Sequence, residues 1–391
     1  MNYKSLYHIY LFSFGFLYYL ILPFCVILTD SFLEFPGMNH LAKHYNDNII
    51  FPYLLITICL LISFLLGSFL PIKTKYLIKK KTIAEKELVF GNRDLFLLLI
   101  PFFIYAQYLI FSNRSNLFQG YLIEYDAQFM GNIATFNTLF LFWGLYYAGK
   151  STKRNHTLSL FFLFSIFEFS IVLLGLGSRM YILVPLISFL LFLLDNHQIT
   201  IKKLTINACI IILLLLCVGV WRLGDKISLN ALLYIGVAEP CLTWISAESM
   251  FTQNNTLPLF SFPSNFLSSF FNFIPSVLLP NKDELIQPIT LSYESPFGAT
   301  NLLLSLLDNF GILGSCLTLF IFGFLLSYIR FNANSLLSKT YYLCICGVIP
   351  FQLFRDNIAI INKILFYNFL LFPLVLIILE KAIYKKSRQI L

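Results

Sequence analysis

The interval that decides the fold begins with Trp221-Arg222-Leu223-Gly224-Asp225-Lys226 and ends with Tyr293-Glu294-Ser295-Pro296-Phe297-Gly298-Ala299-Thr300-Asn301. It is the one long stretch of the 391-residue chain that does not consist of uninterrupted apolar runs of membrane-spanning length. Almost everything on either side is apolar over lengths that cross a bilayer, which takes about 20 residues of helix. A polar substrate would be handled in this interval, so we expect the chemistry to gather here.

Composition places the chain among polytopic membrane proteins. Hydrophobic residues make up 58% of it, charged residues only 12%, and it contains 44 Phe and 22 Tyr. A water-soluble domain built from these residues would have too little polar surface to cover itself. The net charge of +8 is concentrated in the loops of one membrane side, so we interpret it as topology and expect no nucleic-acid partner.

Ten apolar runs have about the length of a membrane-spanning helix. They cover residues 7–29, 51–71, 95–112, 132–149, 157–175, 179–194, 204–221, 302–328, 340–354 and 358–379. These runs predict an all-α polytopic membrane protein with about ten transmembrane helices and one large loop. In chain order we expect a seven-span bundle over residues 1–220, the loop over 221–301, and a three-span bundle with a tail over 302–391.

Basic residues follow every second predicted span. Lysines and arginines are concentrated in residues 73–93, 150–154, 202–203, 330–339 and 381–388. Positively charged loops stay on the cytoplasmic side of a membrane. We therefore expect both termini in the cytoplasm and the large loop on the outer side.

The large loop contains two apolar stretches that are interrupted by proline. Residues 227–250 contain Glu239-Pro240, and residues 255–280 contain four further prolines. Proline removes a backbone donor, and irregular backbone cannot face lipid at depth. We therefore expect short interfacial helices at the outer leaflet, with residues 266–273 either packed on the bundle or lining a groove for a lipid tail. The alternative is two further spans, twelve in all.

Basic residues are scarce on the predicted outer side. Arg179, Arg222 and Arg355 each stand where an apolar run ends or begins, and Gly177-Ser178 directly precede Arg179. A guanidinium binds phosphate oxygens through two parallel hydrogen bonds, and glycine lets the backbone come close to a ligand. Each arginine alone is well explained as an anchor among lipid headgroups, whereas three on one face favour a phosphate site.

Three further charged residues join the substrate-binding candidates. Lys363 lies in the first turns of the last span, where a charge is costly unless it is paired. Glu168 lies inside the fifth span, so it is either part of a site or a structural partner of Lys363 or Arg179. Lys282 is one of the few lysines in the large loop.

Carboxylates are plentiful on the predicted outer side. Any of them can act as a general base if it lies within hydrogen-bonding distance of the attacking hydroxyl, and sequence does not choose among them. We take Glu294 and Asp308, which flank the end of the large loop, as catalytic candidates. Asp356 and Asn301 are taken as substrate-binding candidates.

Recognisable metal, nucleotide and hydrolase motifs are absent from the sequence. It has no Walker-type glycine loop, no HExxH, no GxSxG and no cysteine cluster. The sequence therefore gives no support for ATP-driven, zinc-protease or serine-hydrolase chemistry, and we expect no cofactor and no metal.

Several short patches carry a resemblance to a known family. They are Gly177-Ser178-Arg179, Ile274-Pro275 with Pro280-Asn281-Lys282, Ser295-Pro296-Phe297-Gly298-Ala299-Thr300-Asn301, and Asp308-Asn309-Phe310-Gly311-Ile312-Leu313-Gly314. Together with the large outer loop before the late spans, they resemble the Wzy-type O-antigen polymerases, the oligosaccharide repeat-unit polymerases. The resemblance covers the whole chain as architecture and these patches as sequence.

The resemblance implies an enzyme that joins oligosaccharide units carried on undecaprenyl pyrophosphate at the periplasmic face of the bacterial inner membrane. The implied fold is similar to the metal-independent GT-C membrane glycosyltransferases. Carried over to this sequence, Arg179, Arg222 and Arg355 hold the pyrophosphate leaving group, and an outer carboxylate deprotonates the attacking hydroxyl. The implied partners are the lipid-linked oligosaccharide and membrane lipid, with a chain-length regulator as a further candidate.

Two other functions stay open at this point. A related O-antigen ligase shares the architecture but usually has a histidine in the large loop, and residues 221–301 contain none. A transporter of the lipid-linked sugar would carry charges in the middle of several spans, and here Glu168 and Lys363 are the candidates.

The charge alternation makes a prediction about sidedness. Cysteines introduced at Lys80, Lys153 and Arg388 should be shielded from an impermeant thiol reagent in intact spheroplasts, whereas a cysteine at Asp283 should react. Labelling of residue 80 from outside would reverse the orientation and every site assignment that depends on it.

Overall fold

The computed structural model describes residues 5–29, 31–35, 37–38, 47–74, 92–118, 127–150, 153–223, 228–254, 256–275, 278–286, 292–295, 299–332 and 335–390. Every regular element in these residues is a helix. The prediction of an all-α polytopic membrane protein is confirmed.

The first part of the chain consists of long helices. These are α1 Tyr7–Leu28, α2 Asp47–Thr74, α3 Asn92–Ser112, α4 Ala127–Ala148, α5 Lys153–Gly175, α6 Met180–Asp195, α7 Ile201–Leu223 and α8 Leu229–Gln253. Within α1, residues Leu17–Ile21 form a π-helical segment. A short 3-10 helix, Arg114–Asn116, follows α3.

The rest of the chain alternates short and long helices. They are α9 Ser264–Ser268, a 3-10 helix Ser269–Phe273, α10 Lys282–Leu285, α11 Leu302–Asn332, α12 Leu336–Val348 and α13 Gln352–Arg355. The chain then continues through α14 Ile358–Asn362, a π-helix Lys363–Leu371 and α15 Phe372–Ile390.

All ten predicted spans coincide with helices, but they differ in length. Eight helices of the described residues are long and apolar enough to cross a membrane; seven of them are predicted spans, and the eighth is α8. The predicted spans 179–194 and 340–354 are shorter than expected, because α6 has 16 residues and α12 only 13. At 1.5 Å per residue such a helix covers about 20 Å, less than the roughly 30 Å of a hydrocarbon core.

The chain forms two compact units that interleave in sequence. Unit 1 combines Met1–Lys80, Ile206–Asn332 and Val348–Lys363. Unit 2 combines Lys81–Thr205, Ala333–Gly347 and Ile364–Leu391. The predicted division into residues 1–220, 221–301 and 302–391 therefore describes chain order, whereas these units describe packing.

The framework of unit 1 is the close pair of helices α2 and α11. A side chain at Gly67 would collide with the backbone of Phe320, and one at Gly323 would collide with the backbone of Phe64. Small residues let two membrane helices approach to backbone contact. At one end of this pair Ser327 Oγ donates to the Ser68 carbonyl at 2.6 Å, so the C-terminal parts of α2 and α11 run side by side.

Helix α1 runs antiparallel to α2. His8, near the start of α1, lies 3.1 Å from Ser327 Oγ, at the C-terminal end of α11. Tyr53, in the first turns of α2, donates to the Leu20 carbonyl at 3.2 Å. The second half of α1 and the first turns of α2 therefore lie at the same end of unit 1, which we call the Tyr53 end.

One expectation for the large loop is corrected. Residues 227–250 were expected to form short helices because of Pro240, but α8 is continuous over 25 residues. A proline deprives the carbonyl four residues earlier of its helical donor, and the hydroxyl of Tyr18 donates to that carbonyl, at Gly236. The helix continues because α1 supplies the missing hydrogen bond.

Helix α8 packs across the Tyr53 end. Tyr234 in its first half stacks on Phe35, just beyond α1, with ring centroids 4.4 Å apart. Trp244 in its second half contacts the ring of Phe24 edge to face at 5.4 Å. Both halves of α8 thus contact the Tyr53 end. Although α8 is long enough to cross a membrane, this packing leaves the predicted sidedness of the later loops unchanged.

The second stretch of the loop forms short helices, as expected. α9 and the 3-10 helix Ser269–Phe273 have five residues each, so residues 255–280 contain no described helix of spanning length. Their backbone is held by side chains of neighbouring helices, since the Phe266 N–H donates to Asn309 Oδ1 at 2.6 Å. The twelve-span alternative is therefore wrong for this stretch.

Gly311 divides α11 into two helical parts. Its φ of 68° and ψ of −175° are outside the helical region. The N–H groups of Ile312 and Leu313, at the start of the second part, donate to the carbonyls of Pro258 and Leu259 at 3.0 and 2.9 Å. The backbone of Pro258 and Leu259 thus accepts hydrogen bonds from the N–H groups at the start of this helical part. It lies so close to residue 311 that only glycine fits there.

We predict that Gly311→Ala destabilises the protein. The substitution forces a Cβ to 2.7 Å from the Pro258 carbonyl oxygen and places alanine at positive φ, which alone costs about 1–2 kcal/mol. Unfolding in detergent should occur at lower temperature or denaturant concentration. The control is Gly131→Ala in α4, where a Cβ meets nothing within 4 Å and the added helix propensity should raise stability by up to about 1 kcal/mol.

Candidate functional site

Arg355 lies between two carboxylates at the end of α13. Its Nε is 2.7 Å from Glu239 Oε1 in the middle of α8, and its Nη1 is 3.7 Å from Asp356 Oδ1. Asp356 Oδ2 also accepts a hydrogen bond from Gln352 Nε2 at 2.8 Å. The guanidinium therefore faces more negative than positive charge and is held in one orientation.

Burial raises the pKa of Asp356 above the usual range for a carboxyl. The neighbouring Arg355 and the Gln352 hydrogen bond favour the ionised form, and the charge of Glu239 adds to the effect of burial. The shorter of the two contacts of Arg355, to Glu239, is thus the core of this group.

The Thr300-Asn301 segment connects Arg355 to α8. The Thr300 N–H donates to the Arg355 carbonyl at 2.8 Å, and the Asn301 N–H donates to Ser246 Oγ at 2.9 Å. Asn301 Oδ1 accepts from the Leu303 N–H at 2.9 Å and so caps the start of α11. The predicted substrate-binding residue Asn301 therefore has a clear structural role.

A second polar group lies at the C-terminal end of α8. Tyr293 forms a side-chain hydrogen bond with Asp308, in the first part of α11. Asn254 Nδ2 donates to the Tyr293 hydroxyl at 3.3 Å, and the Glu294 N–H donates to Ser249 Oγ at 3.1 Å. The structure thus brings the two predicted catalytic residues, Glu294 and Asp308, to the same end of one helix.

Asp308 differs from the Arg355 carboxylates in having no cationic partner. Among the described residues no lysine, arginine or histidine forms an ion pair with it, and its side chain is half-buried. The Glu294 side chain is exposed. A partly buried carboxylate that is free of a counter-charge and oriented by a tyrosine can accept a proton, so Asp308 is the better placed of the two.

Lys282 and Lys363 form a third group. α10, which begins with Lys282, and α14, which precedes Lys363, both pack against the 3-10 helix Ser269–Phe273. Lys282 is 9% exposed, and its Nζ donates to the Ile274 carbonyl at 3.1 Å. The positive charges of the two lysines repel each other. Two substrate-binding candidates that are far apart in sequence are thus neighbours.

In unit 2, Gly177 ends helix α5. Its φ is +93°, and its N–H donates to the Leu174 carbonyl while the Ser178 N–H donates to the Leu173 carbonyl, both at 2.9 Å. This is the Schellman pattern, which favours glycine at the left-handed position. The glycine is explained by the turn, and a binding role for Gly177 and Ser178 stays a prediction.

Arg179 follows this turn as the N-terminal neighbour of α6. Its side chain is half-exposed, and it forms no hydrogen bond or ion pair with the described part of the chain. Glu168 accepts a hydrogen bond from Gln107 Nε2 at 2.9 Å. The partner of Glu168 is therefore an amide on α3 and not Arg179, which leaves the guanidinium of Arg179 open to a ligand.

Arg222 is the penultimate residue of α7, and its side chain lies outside the described residues. The convergence of the three arginines therefore stays a prediction. Among the residues that the structure describes, no group of three or more His, Cys, Asp and Glu could hold a metal ion.

Sequence reasoning missed several members of these groups. Glu239 was only one of many outer carboxylates that could act as a base, and Tyr293, Ser246 and Ser249 were not singled out. All except Tyr293 lie on α8, which was not expected to be one continuous helix. Recognising that helix would have placed Glu239, Ser246 and Ser249 at spacings of seven and three residues, close to one face of it.

Comparison with known protein families decides the class. The model of the family O-antigen polysaccharide polymerase Wzy matches residues 1–238, more than half of the chain. The chain belongs to this family. The match includes Glu168, Arg179 and Arg222 and ends one residue before Glu239. No curated protein and no solved structure matches the chain.

Membership of the Wzy family makes this protein a glycosyltransferase-type polymerase that acts on lipid-linked oligosaccharides in the membrane. The role in O-antigen polymerisation implied by the resemblance is thus supported. The helices long enough to cross a bilayer agree with a multi-pass membrane protein.

We predict that Glu239 and Arg355 are energetically coupled. In a double-mutant cycle of Glu239→Gln and Arg355→Gln, the second substitution should cost less once the first is present, because the ion pair is already lost. The coupling should be about 1–3 kcal/mol by unfolding in detergent.

The matched control pairs Glu239→Gln with Asp195→Asn. Asp195 forms its own ion pair with Lys339 at 2.9 Å and shares no partner with Glu239. These two substitutions should be additive. Additivity of the Glu239 and Arg355 substitutions would instead mean that the ion pair contributes nothing to stability.

Proposed function

We propose that this protein joins oligosaccharide repeat units carried on undecaprenyl pyrophosphate at the periplasmic face of the inner membrane. The charge alternation supports this orientation, with both termini in the cytoplasm. Arg330, whose Nε donates to the Ser5 carbonyl at 3.1 Å, belongs to the basic set and lies beside the N-terminus. The Tyr53 end, with the polar groups of α8, is opposite to it and therefore faces outward.

The observation that carries the proposal is Asp308 held by Tyr293 without a cationic partner. In the proposed reaction Asp308 accepts the proton of a hydroxyl on the acceptor sugar. That oxygen forms a bond to the anomeric carbon of the donor unit, and the bond from this carbon to the pyrophosphate oxygen breaks. Undecaprenyl pyrophosphate leaves with the electron pair, so the donor bond supplies the energy and ATP is not required.

The leaving group needs fixed positive charge because negative charge develops on its oxygen as the bond breaks. Arg179 is suited to this role because its guanidinium has no protein partner within the described residues. Arg355 contributes a guanidinium whose Nε is oriented by Glu239 at 2.7 Å. Arg222 completes the predicted set. Protein cations take the place of a divalent metal in this scheme, so the reaction should proceed in a chelator.

The function predicts a specific defect in a deletion strain. Loss of a polymerase spares export and attachment, so the lipopolysaccharide core should receive a single repeat unit and the ladder of longer chains should vanish on a gel. The wild-type gene should restore the ladder, whereas Asp308→Asn should not, since an amide cannot accept the proton. Purified protein should extend lipid-linked units in the presence of a chelator.

Each other function blocks the pathway at a different step. A bare core with polymer accumulating on the lipid carrier would identify a ligase. A bare core without such polymer would favour transport. Full activity of Asp308→Asn, with the ladder still dependent on the gene, would remove Asp308 as the base.

Arg179 gives a separate prediction. If it binds pyrophosphate through two parallel hydrogen bonds, lysine should replace it poorly because an ammonium lacks the planar fork. Arg179→Lys should lose most of the ladder while the amount of protein in the membrane stays unchanged, as shown by immunoblot. The control is Arg114→Lys, at a residue whose guanidinium lies over the Phe111 ring at 4.7 Å, and it should keep the ladder. A normal ladder with Arg179→Lys would make Arg179 a headgroup anchor.

A further inference from the structure

We propose that Lys282 and Lys363 bind the phosphate group of a membrane lipid, with the diphosphate of the polyprenyl carrier as its source. This inference rests on the proposed function: the arginine set holds the diphosphate of the donor unit, and the two lysines hold that of the acceptor unit, which is carried on the same kind of lipid. The ligand class is a phosphoanion with an apolar tail.

The first argument is the placement of the two lysines on one short element. The 3-10 helix Ser269–Phe273 is packed between α10 and α14. Asn362, directly before Lys363, donates to Ser269 Oγ at 2.6 Å, and Asn272 Nδ2 donates to the Ala359 carbonyl at 3.1 Å. These two hydrogen bonds fix the backbone that carries Lys363 against the segment that precedes Lys282. The pair is therefore held in place before any ligand arrives.

The second argument is the missing counter-charge. Within the described residues neither lysine has an acidic partner. Lys282 uses one of its three N–H donors on the Ile274 carbonyl, while the donors of Lys363 have no protein acceptor in this part of the chain. Two nearby cations, one of them buried, are costly unless an anion lies between them.

Another partly buried lysine shows the usual solution. Lys339 lies 2.9 Å from Asp195 Oδ2 and also donates to Asn196 Oδ1 at 2.9 Å. Its charge is balanced within the protein. Lys282 and Lys363 lack this arrangement among the described residues, so an anionic ligand is suited to balance their charge.

The third argument concerns the kind of anion. The short helices beside Lys282 expose apolar side chains, among them Leu267, Phe270 and Phe271. A free phosphate gains nothing from this surface, whereas a lipid can place its phosphate on the lysines and its chain along the aromatic residues. Two cations match the charge of a diphosphate better than that of a phosphodiester headgroup.

The test measures binding of farnesyl diphosphate to the purified full-length protein in nanodiscs of zwitterionic phosphatidylcholine. Lys282→Met and Lys363→Met should each weaken binding by about 10- to 100-fold, the usual effect of losing a hydrogen bond to a charged group. Lys282→Arg and Lys363→Arg should retain most of it. Lys202→Met, at an exposed lysine at the start of α7, is the matched control and should bind like the wild type.

A second set of nanodiscs separates the two sources of phosphate. If the site takes the carrier diphosphate, replacing half of the lipid with anionic phosphatidylglycerol should leave farnesyl diphosphate binding nearly unchanged. Strong competition by phosphatidylglycerol would assign the same phosphate site to a phospholipid headgroup. Unchanged farnesyl diphosphate affinity in both methionine variants would overturn the proposal.

Thermal unfolding in detergent shows whether a lysine variant loses binding because it is no longer folded. Inorganic pyrophosphate should raise the Tm of the wild type and of Lys202→Met by clearly more than that of Lys363→Met, which keeps only the arginine set. Without the anion, Lys363→Met should unfold no earlier than the wild type, because it removes a repulsive charge. A wild-type Tm that does not respond to pyrophosphate while farnesyl diphosphate also fails to bind contradicts the site.

The failure of this site and the failure of the polymerase proposal give different results. Asp308→Asn should lose the ladder and keep farnesyl diphosphate binding. A ladder that persists in the deletion strain would remove the polymerase function while leaving the binding measurement intact. Methionine variants with normal binding would remove only the lysine site.

Discussion

The structure depends on one constraint, which is that a backbone polar group inside a membrane protein must find its partner within the protein because hydrocarbon supplies none. Pro240 creates such a group at the Gly236 carbonyl, and the Tyr18 hydroxyl satisfies it. The break at Gly311 creates others, and the carbonyls of Pro258 and Leu259 satisfy them. These pairings hold the large loop against the Tyr53 end, where the candidate site lies.

Much of the fold follows from the sequence because a bilayer imposes a length on every span. The apolar runs locate the helices of the bundle, and α6 and α12 differ in being shorter. The error over residues 227–250 has a local cause. Proline is a reliable helix breaker only if the carbonyl that loses its donor stays unpaired, and the donor here is Tyr18, which is remote in sequence. The sequence around Pro240 therefore does not show that the helix continues through it.

The candidate site was predictable as a set of charges but not as an arrangement. Scarcity of basic residues on the outer side singles out Lys282, Lys363 and Arg355 as candidates. Their partners could not be predicted from the sequence, because Glu239 of α8 and Arg355 of α13 meet only in the folded chain. Pairing also separates residues that look equivalent in sequence, since Asp356 shares its charge with a guanidinium whereas Asp308 has a tyrosine partner.

The large loop is attached to the bundle in a way that bears on how such enzymes diversify. Ser246, Ser249 and Asn309, which belong to long helices, bind backbone N–H groups of Asn301, Glu294 and Phe266. At these three anchors the side chain belongs to a helix, while the loop contributes its main chain. Every residue type except proline supplies that N–H, so the side chains of Glu294 and Phe266 are free to change without loss of these hydrogen bonds, whereas Asn301 is also needed as the cap of α11. An enzyme whose product is a variable surface sugar gains from this division, since one scaffold can carry many substrate-facing sequences.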